Sequence, residues 1–198
     1  MRPDLLCIAN LVKEDSQVLE IGCGEGELLH YLSSKKNIDT RGIEISQAGV
    51  SQCMKLGLAV VQGDVETDLV HYSNKSFDYV ISSQVLQATY NPKEVLKEML
   101  RIGKYVIISI PNFGHWRNRL YLTIKGEMPV TSSLSYQWYE TPNIHFCTIK
   151  DFENLCVELK ITICKKLFID ETGKKLNKIW QLTMPNLVAD KAIYLIKN

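Results

Sequence analysis

Short apolar runs alternate with amphipathic stretches through the first half of the chain. The runs lie at residues 17–21, 41–45, 58–61, 77–81 and 105–110. Between them, apolar residues recur at i, i+3 and i+4, which is the spacing of one helical face. The run at residues 105–110 is apolar enough to indicate a strand that is buried on both faces. The pattern therefore predicts an α/β fold, in which a mostly parallel sheet carries helices on both faces.

Helix-capping residues support this assignment at three points. Ser46 stands directly before one amphipathic stretch, where its hydroxyl is placed to accept a backbone N–H. Asn91 and Pro92 stand at the N-cap and first helical positions of a second stretch. Thr148 and Asp151 have the spacing of a capping box before a third. We expect helices to begin at all three places.

The alternation stops between residues 111 and 148, where aromatic and polar residues dominate. Long irregular insertions in compact domains are usually functional. A chain of 198 residues has room for one sizeable core and not for a second full domain. We therefore expect residues 1–198 to form a single domain that contains this insertion.

Four further elements are predicted after the insertion. Apolar residues at 152, 155, 156 and 159 lie on one face of a helix. Residues 161–169 and 179–184 are predicted to form two closing strands, joined by a polar hairpin turn at 170–178. Residues 188–196 are predicted to form a last helix.

The composition excludes several classes of protein. The chain has 23 Lys and Arg against 22 Asp and Glu, a net charge of +1. Proteins that bind nucleic acid or anionic membrane surfaces carry a basic excess, so we expect neither partner. The apolar runs are far shorter than the roughly 20 residues of a membrane span. The first residues lack the pattern of a signal peptide, so we expect a cytoplasmic protein.

The cysteines do not form a recognisable framework. The chain has six, none of them in a C-x-x-C pair. Without an oxidising compartment, free thiols are expected rather than disulfides. His145 and Cys147 resemble half of a zinc motif, but no second half stands at a suitable spacing. We therefore predict no metal site.

A glycine-rich turn follows the first predicted strand. Glu20 precedes a G-x-G-x-G sequence that begins at Gly22, and a helical stretch follows it. Glycines let a backbone approach a ligand closely at a helix N-terminus. The dinucleotide fingerprint is G-x-G-x-x-G and faces a pyrophosphate. A carboxylate before the loop suits a sulfonium or an ammonium group better than a pyrophosphate.

Two more carboxylates follow the next predicted strands. Glu44 ends the second, where a carboxylate is placed to accept hydrogen bonds from ribose hydroxyls. Ribose occurs in both S-adenosylmethionine and NAD, so Glu44 alone does not separate the two. Asp64 follows the third strand, where it either accepts from an adenine amino group or closes an Asx-turn. Val65 beside it offers an apolar face.

This layout resembles the class I S-adenosylmethionine-dependent methyltransferases, which have a Rossmann-like fold with a seven-stranded sheet. The resemblance implies that S-adenosylmethionine or S-adenosylhomocysteine lies along the glycine loop, with its ribose on Glu44 and its adenine near Asp64. It also implies contacts from the end of the fourth strand. The implied binding residues are Glu20, Gly22, Cys23, Gly24, Gly26, Glu44, Ile45, Asp64, Val65, Ser83 and Gln84.

Longer motifs make the resemblance more specific. They lie at residues 83–89, 111–117, 126–131, 136–145 and 147–153. Together they are similar to the MetW family of methionine biosynthesis proteins, from residue 1 to about residue 164. The resemblance implies a methyltransferase-like protein associated with a homoserine O-acyltransferase. It implies no particular methyl acceptor.

Catalysis is not decided by these residues. His115 and His145 are the candidate bases, and each also fits a structural role. Three hypotheses stay open: a ligand-binding accessory or regulatory subunit, a methyltransferase for a small molecule, and a dinucleotide-dependent oxidoreductase. The spacing of the glycine loop counts against the third.

The segment from Asn112 to His145 is a candidate partner surface beside the ligand site. It concentrates Trp, Tyr and Arg, which are frequent at binding hot spots. Trp116 and Arg117 are the residues expected to contact a partner. The alternative is a lid that closes over a small methyl acceptor.

Overall fold

A seven-stranded sheet forms the centre of the computed structural model, which describes residues 1–131 and 134–198. The sheet order is β3-β2-β1-β4-β5-β7-β6. Strands β1 to β5 are parallel, and β7 runs antiparallel to both of its neighbours. The predicted mostly parallel α/β sheet is confirmed. The strands are β1 (Gln17–Ile21), β2 (Asp39–Glu44), β3 (Ala59–Gln62), β4 (Phe77–Ser83), β5 (Gly103–Pro111), β6 (Thr162–Ile169) and β7 (Lys191–Lys197).

Helices cover both faces of this sheet. Successive strand residues point to opposite faces, and β4 shows what lies on each. Val80 belongs to an apolar cluster that includes residues of α4 and α6, whereas Ile81 belongs to one that includes residues of α1 and α2. The helices are α1 (Pro3–Ala9), α2 (Glu27–Lys36), α3 (Gln47–Lys55), α4 (Pro92–Ile102), α5 (Trp116–Lys125), α6 (Ile149–Glu158), α7 (Lys178–Thr183) and α8 (Pro185–Val188), with 3-10 turns at Leu69–His71 and Leu86–Ala88.

The three predicted helix starts are confirmed, although one cap works differently from expectation. The Ser46 hydroxyl accepts the Gly49 N–H at 3.4 Å at the start of α3. The Thr148 box before α6 forms in both directions. Asn91 stands at the N-cap of α4, but its side-chain amide donates to the Glu66 carboxylate at 3.2 Å.

The prediction of a strand at residues 179–184 is wrong, because these residues belong mainly to α7. The Asn177 side chain accepts the Trp180 N–H at 3.1 Å and caps the helix. Ile179 and Leu182 are exposed, so their apolar character does not come from a buried strand. The polar turn before them does form, and the Asp170 carboxylate accepts backbone N–H groups within it. It leads into a helix instead of a second strand.

The prediction of a last helix at residues 188–196 is also wrong. Most of this stretch is β7, which lies between β5 and β6. Ala192, Ile193 and Tyr194 are consecutive and fully buried, since the strand has neighbours on both sides and cover on both faces. A continuous apolar run lacks the alternation that separates a strand from a buried helix.

Besides α7 and the short α8, two helices were not anticipated. One is α5, which lies inside the 111–148 segment; residues 132 and 133 of that segment fall outside the described residues. The other is α1, which begins at Pro3. Across residues 1–131 and 134–198, no helix is long and apolar enough to cross a membrane.

Candidate functional site

The carboxyl ends of β1 and β4 border a cavity of about 610 Å³. This is the edge of an open α/β sheet at which ligands bind. The volume lies within the range of about 300–1,000 Å³ that is usual for ligand pockets. We call this cavity, together with Glu20, Glu44 and the loop at residues 22–26, the ligand edge. The cavity is lined by Arg2, Leu5, Glu20, Gly22, Cys23, Gly24, Glu25, Glu27, Leu28, His30, Leu56 and Ser83.

The glycine loop presents its backbone to this cavity. Gly24 has a φ of +56°, a left-handed conformation that glycine adopts without steric cost. A Cβ placed on Gly24 would meet no heavy atom within 4 Å, so the space beside the backbone is open. Gly26 has a different role, because it is the N-cap of α2. The loop therefore leaves room for a ligand at its centre and starts a helix at its end.

Glu20 lies in the wall of the cavity with an unsatisfied carboxyl oxygen. The residue is 3% exposed, and its Oε2 makes no hydrogen bond within the described residues. Burial raises the pKa of Glu20 to about 8, while the Arg2 guanidinium opposes this shift and Glu44 adds to it. The carboxyl group is therefore largely protonated at neutral pH in the absence of a cationic ligand. A buried, unpartnered acid of this kind suits a positively charged ligand group.

Glu44 holds the glycine loop in place. One carboxylate oxygen accepts the Gly24 N–H at 2.8 Å, and the other accepts the Ser46 N–H at 2.9 Å. Helix α3 packs tightly against both groups at Gly49. A Cβ there would lie 2.8 Å from the Gly24 carbonyl oxygen and 2.9 Å from Cγ of Glu44. Gly49 was not predicted as a site residue, although a glycine inside a helix is unfavourable and indicates a packing constraint.

The residues after β2 and β3 are less enclosed. Asp64 Oδ1 accepts the Glu66 N–H at 2.9 Å, which is the Asx-turn considered from the sequence. Asp64 and Val65 are half-buried. Ile45 is 66% exposed, so an apolar side chain next to Glu44 faces solvent. This side of the ligand edge is an open surface.

Ser83 and Gln84, at the end of β4, contact the N-terminal segment. Arg2 Nη2 donates to Ser83 Oγ at 2.9 Å, and Gln84 Nε2 donates to Asp4 Oδ2 at 3.0 Å. Arg2 and Leu5 both line the cavity, so the start of α1 supplies one of its walls. This wall was not predicted from the sequence. The signal that could have indicated it is Pro3, because proline is frequent at the first position of a helix.

The predicted binding residues thus fall into two groups. Those that line the cavity are Glu20, Gly22, Cys23, Gly24 and Ser83. Those outside its lining are Gly26, Glu44, Ile45, Asp64, Val65 and Gln84. Glu44 belongs with the first group through its bond to the loop.

The two candidate bases have backbone partners. His115 Nδ1 accepts the Arg117 N–H at 3.4 Å and caps α5. Burial lowers the pKa of His115, and its ring also contacts the Val188 backbone. His145 Nε2 lies 3.3 Å from the Tyr90 carbonyl oxygen. Neither histidine lines the 610 Å³ cavity. Their contacts are those of structural residues, and a catalytic role for either stays a prediction.

The cysteines are free thiols in this structure. Burial raises the pKa of Cys147 and of Cys156 to about 11, so both are protonated at neutral pH. Among the described residues, no three His, Cys, Asp or Glu side chains are grouped to hold a metal ion.

Helices α5 and α7, which we call the outer helices, differ from the rest of the fold. The buried residue of α5 is polar, Asn118, and α7 contributes none among the described residues. Trp116 of α5 and Trp180 of α7 line one groove of about 350 Å³. Arg117 lies in the same groove and pairs with Glu171 at 2.5 Å. The exposed apolar side chains of these helices are Trp116, Leu120, Leu122, Ile124, Ile179, Trp180 and Leu182.

Two curated relatives are a methionine biosynthesis protein and an N-methyltransferase. The bifunctional methionine biosynthesis protein MetXA/MetW of Rhodopirellula baltica is 33% identical over 94% of this chain and 31% of its own length. Ajmaline N-methyltransferase of Rauvolfia serpentina is 24% identical over 82% of this chain and 59% of its own length. The chain therefore spans less than two thirds of the length of either relative.

Solved structures share the fold. A SAM-dependent methyltransferase from Archaeoglobus fulgidus matches with a TM-score of 0.71 and 19% identity, covering 98% of this chain and 91% of that chain. This similarity confirms the Rossmann-like class I methyltransferase fold. The family profile described as "Methionine biosynthesis protein MetW" matches residues 2–196. Because that match covers nearly the whole chain, the chain belongs to the methionine biosynthesis protein MetW family.

Proposed function

We propose that the chain binds S-adenosylmethionine or S-adenosylhomocysteine at the ligand edge and acts as an accessory or regulatory partner of a homoserine O-acyltransferase. The observation that carries the ligand assignment is Glu20. A buried carboxyl oxygen without a partner faces a cavity whose floor is an open glycine loop. Among common nucleoside ligands, the adenosylmethionine class brings the cationic groups that such a site lacks.

Six of the predicted residues have a defined task in this proposal. Glu20 faces the cationic part of the ligand, and Gly24 lets the backbone approach it. Glu44 keeps its two backbone bonds and accepts the ribose hydroxyls with its remaining lone pairs. Ile45 and Val65 offer apolar surface to the adenine, with Asp64 beside them. When bound, S-adenosylmethionine supplies a methyl group activated by a sulfonium.

The same residues disfavour a dinucleotide. A pyrophosphate at this loop would meet the Glu20, Glu25 and Glu27 carboxyl groups that line the cavity. It would bring no cation to the buried Glu20 carboxyl group, and its charge would be repelled by the exposed Glu25 carboxylate. Calorimetric titration with NAD and with S-adenosylhomocysteine tests this choice. Tighter binding of NAD would refute the proposed ligand.

The partner assignment rests on the fused relative. In Rhodopirellula baltica, a region similar to this chain makes up 31% of a polypeptide named MetXA/MetW. Joining two units in one chain raises their effective concentration, which benefits units that work together. We propose that the present chain likewise works with a homoserine O-acyltransferase. The outer helices are the surface that supports this, because they expose apolar side chains that a partner would cover.

The decisive experiment measures homoserine O-acyltransferase activity with and without this chain. We expect the chain to change the rate, and S-adenosylmethionine or S-adenosylhomocysteine to change the size of that effect. Allosteric coupling is reciprocal, so the acyltransferase should change adenosyl-ligand affinity by the same factor. An unchanged rate together with no measurable association would refute the partnership.

Methyl transfer to a small molecule is the second candidate function. The relative that favours it is the ajmaline N-methyltransferase, which matches 82% of this chain. Transfer requires an acceptor aligned with the methyl carbon. A screen of amine, thiol and hydroxyl acceptors, scored by S-adenosylhomocysteine release, tests this function.

The single-domain organisation and cytoplasmic location expected from the sequence stay predictions.

A further inference from the structure

The charges around the 610 Å³ cavity are arranged asymmetrically. Glu20, Glu25 and Glu27 lie along the β1 loop and the start of α2, and the Met1 ammonium group pairs with Glu27 at 2.9 Å. Arg2 is the one arginine or lysine among the described lining residues, and it comes from the opposite wall, before α1. A ligand that fits both walls has positive charge on one side and negative charge on the other.

Arg2 is held in position by several contacts. Its Nη2 donates to Ser83 Oγ at 2.9 Å and lies 3.5 Å from Asp4 Oδ2. Asp4 is 1% exposed and receives the Gln84 Nε2 hydrogen bond at 3.0 Å, and Lys191 Nζ lies 3.9 Å from its other oxygen. Because Asp4 is fixed inside the protein, it fixes the guanidinium beside it.

The residue that supports Asp4 has an unusual backbone. Gln84 has a φ of +60°, a left-handed conformation that is uncommon for a residue with a side chain. Such conformations persist where the surroundings determine them, and they cluster at ligand sites. Here the backbone N–H of Gln84 donates to the Ser109 carbonyl at 3.0 Å while its side chain reaches Asp4. The turn after β4 thus connects the sheet to the Arg2 wall.

We propose that Arg2 and Ser83 form a carboxylate subsite, which binds the α-carboxylate of the adenosyl ligand. This inference rests on the proposed function. A guanidinium has five N–H donors in a planar fork that matches a carboxylate, and only a part of them is engaged by Ser83 and Asp4. Glu20 then faces the cationic groups, so the two walls recognise opposite charges of the same amino-acid end.

A matched pair of ligands tests the subsite. S-adenosylmethionine and decarboxylated S-adenosylmethionine both carry the sulfonium and the ammonium, and they differ in the carboxylate. Calorimetry with the wild-type chain should give at least about tenfold tighter binding of S-adenosylmethionine, as expected for a charge-assisted bidentate contact. Arg2→Gln should reduce that preference to about twofold or less, because it weakens binding of S-adenosylmethionine more than binding of the decarboxylated ligand. Arg2→Lys should give an intermediate preference, because it keeps the charge but loses the fork.

Arg41→Gln is the control variant. Arg41 is an exposed arginine on β2 that pairs with Asp39 at 3.8 Å, and it does not line the cavity. It should keep the full wild-type preference. Melting temperatures of all variants show whether each one is folded, and Arg2 is half-exposed, so its loss should leave the fold intact.

The possible failures are distinguishable. If the wild type binds neither ligand, the proposed function fails and the subsite falls with it. If the wild type binds both equally, or if Arg2→Gln keeps the preference or weakens both ligands alike, the subsite is wrong while the adenosyl site stands.

Discussion

The ligand edge and the outer helices are built on opposite principles. At the ligand edge, polar side chains are buried: Glu20 is 3% exposed and Glu44 is 8% exposed. On the outer helices, apolar side chains are exposed: Trp116 is 43% exposed and Leu182 is 84% exposed. In the part of the chain that the structure describes, the first region has a buried acid with one unpartnered oxygen, and the second has apolar side chains exposed to solvent.

This difference separates two kinds of recognition. A small ligand is bound in a concave site by a few fixed polar groups. A protein partner is bound by exposed apolar and aromatic side chains that gain from losing water. A cationic ligand would pair with the buried acid of the first region, and a protein partner would cover the apolar side chains of the second. Substitutions in one region should therefore leave the other function largely intact.

The largest effect is expected on the outer helices. Trp116→Ala and Trp180→Ala each remove an aromatic wall of the shared groove. Hot-spot truncations of this kind cost about 2 kcal/mol or more, so each should weaken association with the acyltransferase by roughly 30-fold. Adenosyl-ligand affinity should be unchanged. Val157→Ala removes an exposed apolar side chain from α6 and serves as the control. Wild-type association in both tryptophan variants would contradict the proposed surface.

The next effect tests the ligand edge at Glu44. Glu44→Gln replaces one carboxylate oxygen with an amide NH₂, although both oxygens now accept backbone N–H groups. The ribose also loses a charged acceptor. We expect adenosyl-ligand affinity to fall by about 1.5–3 kcal/mol, measured by calorimetry. Association with the acyltransferase in the absence of ligand should be retained. An unchanged ligand affinity would remove Glu44 from the site.

The third effect depends on pH and on Glu20. Burial raises the pKa of Glu20 to about 8, so the ligand-free protein holds it protonated at lower pH. A sulfonium binds the ionised form, and binding must therefore release a proton. Affinity for S-adenosylmethionine should rise about tenfold per pH unit from pH 6 to pH 7.5 and level off above pH 8. Glu20→Gln should flatten this profile. A flat wild-type profile would show that Glu20 does not face the cation.

The smallest effect concerns the fit between α3 and the glycine loop. Gly49→Ala places a methyl group against the Gly24 carbonyl and the Glu44 side chain. Ligand affinity should fall by about threefold to tenfold, as the loop shifts by a few tenths of an ångström. Alanine is the better helix former by about 1 kcal/mol, so thermal stability should change little. Ala48→Ser, on the exposed neighbour in the same helix, is the matched control.

The sequence predicts strands and helix caps best where a local pattern determines them. Strands β1 to β5 are short stretches with apolar residues followed by turn residues, and the predicted stretches fall within a residue of the observed strands or inside them. The candidate residues Glu20 and Glu44 were identified from their positions near strand ends, and their contacts with a ligand stay predictions. Caps such as Thr148 depend on a spacing of three residues. Each of these signals lies within one stretch of chain.

The remaining features depend on contacts between distant residues. Arg2 reaches Ser83 across 81 positions, and Asp4 reaches Gln84 across 80. The role of Gly49 appears only when its distance to Gly24 is known. Near the end of the chain, a strand was predicted where α7 lies and a helix where β7 lies. The reason is that α7 exposes its apolar residues, whereas β7 buries a continuous apolar run. Neither gives the period that its element usually shows.

The position of β7 has a consequence for how the protein is made. The strand is inserted between β5 and β6, and it pairs with residues as far back as Val106. During synthesis, β5 and β6 therefore leave the ribosome before the strand that joins them. Until residues 191–197 emerge, both present unpaired edges that invite wrong pairing with other chains. The growing chain is most vulnerable to aggregation in this interval, and a chaperone that shields sheet edges would have its greatest effect there.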